Sequence, residues 1–165
     1  SGKTVGIVGM GTIGKRLTTL LRPFNCKILA RDHVTDMEFA RENNINYVHL
    51  DELLKESDIV TLHLPLDNDT KGLFNRNHFL QMKDGAIFIN TSRGKIVDED
   101  DLYDVLREGK IAHACLDVYK NEPYTGKLIG LDNVTLTCHV GSYAKEARMK
   151  MEEQAVENLL KGLGE

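Results

Sequence analysis

Short apolar runs alternate with stretches of helical spacing from one end of the chain to the other. Residues 4–8 form a β-branched run, and Ile13, Leu17, Leu20 and Leu21 behind it recur at the spacing of one helix face. Residues 26–30 predict a second strand and residues 37–43 a short helix, with Tyr47 and Val48 in a brief third strand. Asp51 is placed to cap a helix running to Glu56. The run 59–64 then ends at Pro65, which lacks the N–H a central strand needs. Residues 77–82 predict a helix and 86–90 a strand. Asp98 is expected to cap a helix carrying Leu102, Val105 and Leu106 that stops at Gly109. Strands at 112–116 and 134–136 follow, and a last helix from about Ala144 carries Ala147, Met151, Ala155 and Leu159 on one face. Strands alternating with helices predict an α/β fold built on a doubly wound parallel sheet. No repeat, low-complexity stretch or linker interrupts the pattern, so residues 1–165 read as a single domain.

Chemistry enters at the strand ends. The first strand leads directly into Gly9-Met10-Gly11-Thr12-Ile13-Gly14, a Gly-x-Gly-x-x-Gly turn between strand and helix. In such a turn Gly9 permits the tight bend, Gly11 lets backbone approach a pyrophosphate, and Gly14 lets helix pack close to strand. The amides of Thr12 and Ile13 would face the phosphates at the positive end of the helix. Asp32 closes the second strand eighteen residues after Gly14, where a carboxylate takes ribose hydroxyls. The context is that of a Rossmann-type dinucleotide site. The alternative is a glycine turn in some other strand–helix unit.

Three further polar residues, Arg93, Glu122 and His139, each stand just beyond an apolar run. If those runs are parallel strands, all three emerge at the carboxyl edge of one sheet, where open α/β sheets bind ligands. A guanidinium can grip a carboxylate, and a carboxylate beside an imidazole makes a proton donor or acceptor. The plainer alternatives are a surface arginine at Arg93, a loop carboxylate at Glu122 and a core histidine at His139. His63, in the strand before Pro65, reads as structural or cofactor-facing. His33, His49, His78 and His113 have no converging partners, so no metal site is expected. The acidic run 98–101 fits a helix start, where negative charge is favoured.

The bulk properties narrow the partners. A length of 165 residues suffices for one domain with a sizeable core, and a net charge of -4 gives no reason to expect nucleic acid or an anionic membrane. No apolar run approaches a membrane span, and the start, Ser1-Gly2-Lys3-Thr4, lacks signal-peptide architecture. Cys26, Cys115 and Cys138 are widely spaced, which suggests a reducing compartment and a cytoplasmic location. Cys115 is expected to be buried beside Asp117 like a small apolar residue, and for Cys138 a reactive thiol is the lesser of the readings.

These motifs resemble the nucleotide-binding domain of the D-isomer-specific 2-hydroxyacid dehydrogenases, a family of phosphoglycerate, D-lactate and glyoxylate/hydroxypyruvate enzymes. The likeness covers essentially the whole chain. It rests on residues 5–14, on 57–66 with Thr70, on 82–94 leading into 96–99, on 116–118 with Glu122 and Pro123, and on 139–142. The resemblance implies that Arg93 holds the substrate's carboxylate and carbonyl oxygen. It implies that His139 is general acid in reduction of a 2-keto acid and base in the reverse, with Glu122 bonded to it and favouring its charged form. Asp117, and backbone near Thr91 and Ser92, would approach the nicotinamide amide. Thr12, Ile13 and Asp32 would hold pyrophosphate and ribose, and Pro65 and Thr70 would line the groove. Gly141, Ser142, Arg93 and His139 complete the implied cofactor contacts. The implied cofactor is NAD rather than NADP, because Asp32 would repel a 2′-phosphate, although Arg31 could turn to meet one. The partner is a small 2-hydroxy or 2-keto acid. The family's pairing surface lies mainly on this domain, which allows a homodimer.

Family members are much longer, since segments on either side build a second lobe over the cleft. The expectation is therefore a cofactor domain excised from a longer parent, with its catalytic residues present and turnover weak or nil. Cys138 stands where proline usually precedes the histidine, which frees an N–H and adds a thiol. A rival reading is a binding module, a dinucleotide-dependent interaction protein like the related C-terminal-binding-protein corepressors.

Overall fold

The computed structural model describes residues 2–164; Ser1 and Glu165, the end residues of the expected domain, lie outside the described residues. The chain alternates strand and helix as the apolar pattern predicts. Its elements are β1 (Thr4–Val8), α1 (Thr12–Leu21), β2 (Lys27–Arg31), α2 (Met37–Asn43), β3 (Ile45–Tyr47), α3 (Leu50–Glu56) and β4 (Ile59–Leu62). They continue with α4 (Arg76–Gln81), β5 (Ala86–Asn90), α5 (Glu99–Arg107), β6 (Ile111–Leu116), β7 (Val134–Leu136) and α6 (Lys145–Leu163). The described residues form a seven-stranded sheet in the order β3-β2-β1-β4-β5-β6-β7, and every neighbouring pair runs parallel. The order reverses between β1 and β4, which makes the crevice beyond their carboxyl ends the natural ligand site.

The pleat divides the core. Val8, Leu29, Val60, Leu62 and Phe88 face α3, α4 and α5 across the larger cluster, while Val5, Ile7, Ile28 and Ala30 face α1 and α2. Phe74, Phe79 and Phe88 are fully buried in mutual contact, with the Phe79 and Phe88 rings edge-to-face at 5.2 Å. Asp98 caps α5 as the sequence predicts, accepting from the amides of Asp100 and Asp101, and Gly109 beyond it has φ +75. Asp58 ties strand starts together: its carboxylate accepts the Thr4 amide at 2.8 Å and pairs with Lys83 at 3.2 Å.

Some expectations shift. Helix α1 buries Gly14 and Thr18, with Leu17 and Leu21 beside them, and leaves Ile13 and Leu20 exposed, since glycine lets that face come closest to the sheet. The expected third strand begins two residues earlier, at Ile45, and α3 starts at Leu50 without a side-chain cap. The larger departure is α6. Its expected inner face, Ala147, Met151, Ala155 and Leu159, is exposed, as is the rest of the helix. The apolar positions occupy two adjoining stripes, the second being Met149, Val156, Leu160 and Leu163, so no single side is set apart for packing. The sheet shows the same thing from the other direction. Ile87, Ile89 and Cys115, on the face of β5 and β6 away from α5, stay half-buried. Cys115 is thus less covered than expected, because among the described residues no helix closes that half of the face.

Phe88→Ala should cost about 3–5 kcal/mol, the range for an aromatic deleted from a filled core, read from urea unfolding. The Thr4 amide, opposed by partial burial and then reinforced by Lys83 and Lys3, holds the Asp58 carboxyl below its ordinary value. A depressed carboxyl stabilises the fold above its unfolded value, about 3.9, and that stabilisation is lost as pH falls through the folded value. Wild type should therefore exceed Asp58→Asn in urea midpoint at neutral pH, with the gap closing below about pH 4.

Candidate active site

The parallel register puts Val8, Arg31, Leu62, Asn90, Leu116 and Leu136 in one row. The next residues along each strand therefore emerge together: Gly9, Asp32, His63, Thr91, Asp117 and Thr137. At the switch point the glycine turn is closely packed at two of its three glycines and open at the third. Gly9 has φ +101, and a Cβ there would lie 2.5 Å from the His63 carbonyl oxygen. A Cβ at Gly14 would lie 2.2 Å from the Gly9 oxygen, whereas at Gly11 it would meet nothing within 4 Å. Gly11 thus borders open space, and α1 begins there with neither a side-chain cap nor an acidic residue in its first turn. The helix start is a positive end without an internal acceptor, which suits an anionic pyrophosphate.

Asp32 stands across a cavity of about 500 Å³ whose walls include Met10, Gly11 and Lys15. One carboxylate oxygen accepts the Met10 amide at 2.5 Å and the other the Val34 amide at 3.2 Å, so the side chain is anchored beside the glycine turn. The Arg31 guanidinium bonds the Asp32 carbonyl, and Arg31 lines a small cavity together with Asp32 and Thr70. Thr70 is buried; its hydroxyl donates to the Pro65 carbonyl at 2.7 Å and accepts the Asp67 amide at 2.9 Å, fixing the 65–70 loop. His63 is half-buried with Nε2 3.1 Å from the Thr61 hydroxyl, and burial pulls its pKa down.

On the far side of the crevice, Asn90 builds the turn that presents Arg93. Its carbonyl oxygen accepts the Ser92 amide and hydroxyl at 3.0 and 2.8 Å, and its amide donates to the Arg93 carbonyl at 3.0 Å. Ser92 is buried, while Thr91 and Arg93 are exposed. The Arg93 guanidinium folds back on the Ser92 carbonyl at 2.6 Å. Among the described residues no hydrogen bond or ion pair joins it to the other two candidates.

Glu122 and His139 do meet, Oε2 to Nδ1 at 2.9 Å. The other Glu122 oxygen accepts the Tyr119 amide at 3.1 Å. The His139 contact, reinforced by that amide, holds the Glu122 carboxyl below its ordinary value. A carboxylate can only accept, so Nδ1 must carry the proton and Nε2 is left for other work. His139 itself has φ +55. Asp117, 7 % exposed, spends both oxygens on the same loop: one accepts the Thr137 hydroxyl at 2.5 Å and the Val140 amide at 2.9 Å, the other the Gly141 amide at 2.9 Å. Burial raises its pKa, but the Thr137, Val140 and Gly141 donors outweigh burial and leave it lowered. One lone pair remains free on the second oxygen for an outside donor. Gly141 is exposed and Ser142 half-buried beside it. Cys138 is exposed and borders, with Glu122 and Leu136, a cavity of about 560 Å³.

Sequence reasoning missed Asn90, Thr137 and Tyr119, whose hydroxyl donates to the Leu116 and Thr137 carbonyls at 3.0 and 2.7 Å. A polar residue closing an otherwise apolar strand was the available signal for Asn90. Among the described residues no three His, Cys, Asp or Glu side chains gather to hold a metal, and no helix is long and apolar enough to cross a membrane.

Residues 1–141 match the family described as D-isomer specific 2-hydroxyacid dehydrogenase, NAD binding domain. The chain is similar to a glyoxylate reductase of Korarchaeum cryptofilum, 43% identical over 96% of this chain and 48% of that protein. It is similar to a hydroxypyruvate reductase of Thermotoga maritima, 41% identical over 99% of this chain and 54% of that protein. In structure it resembles the NAD-complexed D-isomer specific 2-hydroxyacid dehydrogenase of Lactobacillus delbrueckii ssp. bulgaricus, with a TM-score of 0.88 and 31% identity over 98% of this chain and 54% of that one. The chain thus spans about half the length of the curated relatives it matches.

Gly11 and Gly14 should part company on substitution. Gly11→Ala has room for its methyl, so unfolding stability should stay within about 0.5 kcal/mol of wild type, while NADH fluorescence titration shows affinity weakened at least roughly tenfold. Gly14→Ala collides with backbone and should lower stability itself.

Proposed function

The chain belongs to the D-isomer-specific 2-hydroxyacid dehydrogenase family as its NAD-binding domain, and from that premise we propose that it serves the interconversion of a small 2-keto acid and its D-2-hydroxy acid. The observation that carries the reading is the 2.9 Å contact between His139 Nδ1 and Glu122 Oε2 at the carboxyl edge of the sheet. Glyoxylate and hydroxypyruvate, the substrates in the relatives' names, are the first candidates.

The residues divide the work by position. The glycine turn, with the Thr12 and Ile13 amides, holds the pyrophosphate, Asp32 takes the adenosine ribose hydroxyls, and the loop from Pro65 to Thr70 walls the groove. Thr91, Ser92, Gly141, Ser142 and the free lone pair of Asp117 stand at the nicotinamide end. A bound nicotinamide cofactor would supply the hydride chemistry at C2 of the substrate, as NADH in reduction and as NAD+ in oxidation; what falls to this chain's residues is proton transfer and orientation. Arg93 turns its fork from the Ser92 carbonyl to the substrate carboxylate, which fixes the carbonyl carbon. His139 donates from Nε2 to the carbonyl oxygen in reduction and recovers the proton in oxidation. Glu122, kept ionised by its bonds to His139 and Tyr119, accepts from Nδ1 and stabilises the charged imidazole.

Turnover of NADH with a panel of 2-keto acids, measured on this chain and on the full-length protein that carries it, tests the reading. Activity in the full-length protein is expected. His139→Ala should lower kcat by roughly 10²–10⁴-fold, and Arg93→Lys should chiefly raise KM, because lysine cannot make the two-pronged grip. Unchanged turnover in His139→Ala would sink the acid–base assignment. NADH binding without turnover on any keto acid would favour the binding-module alternative.

A further inference from the structure

The loop that carries His139 is held by one side chain. Asp117 sits at the end of β6, 7 % exposed. Its carboxylate takes the Thr137 hydroxyl from before His139 and the Val140 and Gly141 amides from after it, at 2.5, 2.9 and 2.9 Å. Between these anchors His139 has φ +55, a left-handed conformation that residues with a Cβ seldom adopt. Glu122 is fixed from the neighbouring segment, through the Tyr119 amide, while the Tyr119 hydroxyl reaches the Thr137 carbonyl at 2.7 Å.

We propose that Asp117 is a positioning residue for proton transfer: by binding the loop on both sides of His139 it holds the left-handed backbone that aims Nδ1 at Glu122. The inference rests on the reading of His139 and Glu122 as an acid–base pair and assigns the group that makes the pair form. Three donors converge on Asp117, so the position calls for an acceptor-only group; the NH2 of asparagine would face an N–H. Released from the carboxylate, the loop is free to leave the left-handed region, and the imidazole turns away from a carboxylate that is itself tied in place. A role confined to contacting the nicotinamide amide would not require both oxygens to be spent on this loop.

The readout is the tautomer of neutral His139, followed by nitrogen-15 NMR of the imidazole on this chain. Glu122 forces the proton onto Nδ1, whereas free histidine favours Nε2. In wild type the Nδ1–H form should predominate. Asp117→Asn should lose that preference, and exchange of the Val140 and Gly141 amides should quicken by roughly tenfold or more, as expected for charge-assisted bonds. Thr137→Val keeps the carboxylate and removes one donor, so it should shift the tautomer in the same direction by less; it carries the test if Asp117→Asn does not fold. Glu122→Ala should lose the tautomer preference without quickening those two amides. A wild-type tautomer in both Asp117→Asn and Thr137→Val, with a shift in Glu122→Ala, overturns the positioning role and leaves the acid–base pair standing. A wild-type tautomer in Glu122→Ala as well overturns both.

Discussion

The parallel register of the sheet aligns Val8, Arg31, Leu62, Asn90, Leu116 and Leu136, and nearly every group at the crevice lies within a few residues beyond that row. The register delivers side chains far apart in sequence to one edge, where contacts among them then fix their orientation. The cost is topological: each parallel pair needs a crossover, and the helices of those crossovers must find apolar sheet to cover. Phe88 on β5, packed against Phe74 and Phe79, is where that demand is met most fully. The same strand ends at Asn90, which shapes the Arg93 turn. Core packing and site geometry therefore meet on one five-residue strand, Ala86–Asn90.

Beyond the row, the chain leaves the ladder and its amides need acceptors. The structure answers with side chains: Asn90 for Ser92, Asp117 for Val140 and Gly141, Glu122 for Tyr119, Asp32 for Met10 and Val34. Each of these acceptors belongs to the proposed site or shapes its turns. The bonds that replace the missing ladder are the ones that orient the residues of the proposed site. Charged acceptors strengthen those bonds, and the donors in turn hold the carboxyls below their ordinary values against burial: His139 and the Tyr119 amide for Glu122, the Thr137 hydroxyl and the Val140 and Gly141 amides for Asp117.

Much of this was legible from residue order, for local reasons. Residues 86–90 and 37–43 coincide with β5 and α2 because apolar runs and turn residues bound them on both sides. Asp98 caps α5 because its side chain bonds amides two and three residues on. The glycine turn was legible because its demands fall on three nearby positions. The bonds that suggest the proposed role of Asp117 were hidden: its donors lie 20 to 24 residues away, and the expectation that it approaches a nicotinamide came from resemblance rather than spacing. The packing of α6 was misjudged for a related reason. Periodicity tells which residues could share a face, and only the surrounding structure tells whether anything covers it.

Exposure sets how hard the site can work. The His139 and Glu122 side chains keep 49% and 38% of their surface open, and Arg93 is exposed too. At such exposure water competes for every donor, and the attraction between a guanidinium and a carboxylate at 4 Å approaches the value of about 1 kcal/mol found in bulk water. The same pair in a closed, drier cleft is several times stronger, and a proton held on Nε2 is then shared with substrate instead of solvent. The proposed site thus has its glycine turn, its anchored Asp32 and its His139–Glu122 contact in place along this edge. What the open edge lacks is the low dielectric that turns those contacts into rate. That part of the proposed catalysis would depend on whatever shuts water out above the carboxyl ends of the strands, and no rearrangement of Arg93, Glu122 or His139 within this sheet would substitute for it.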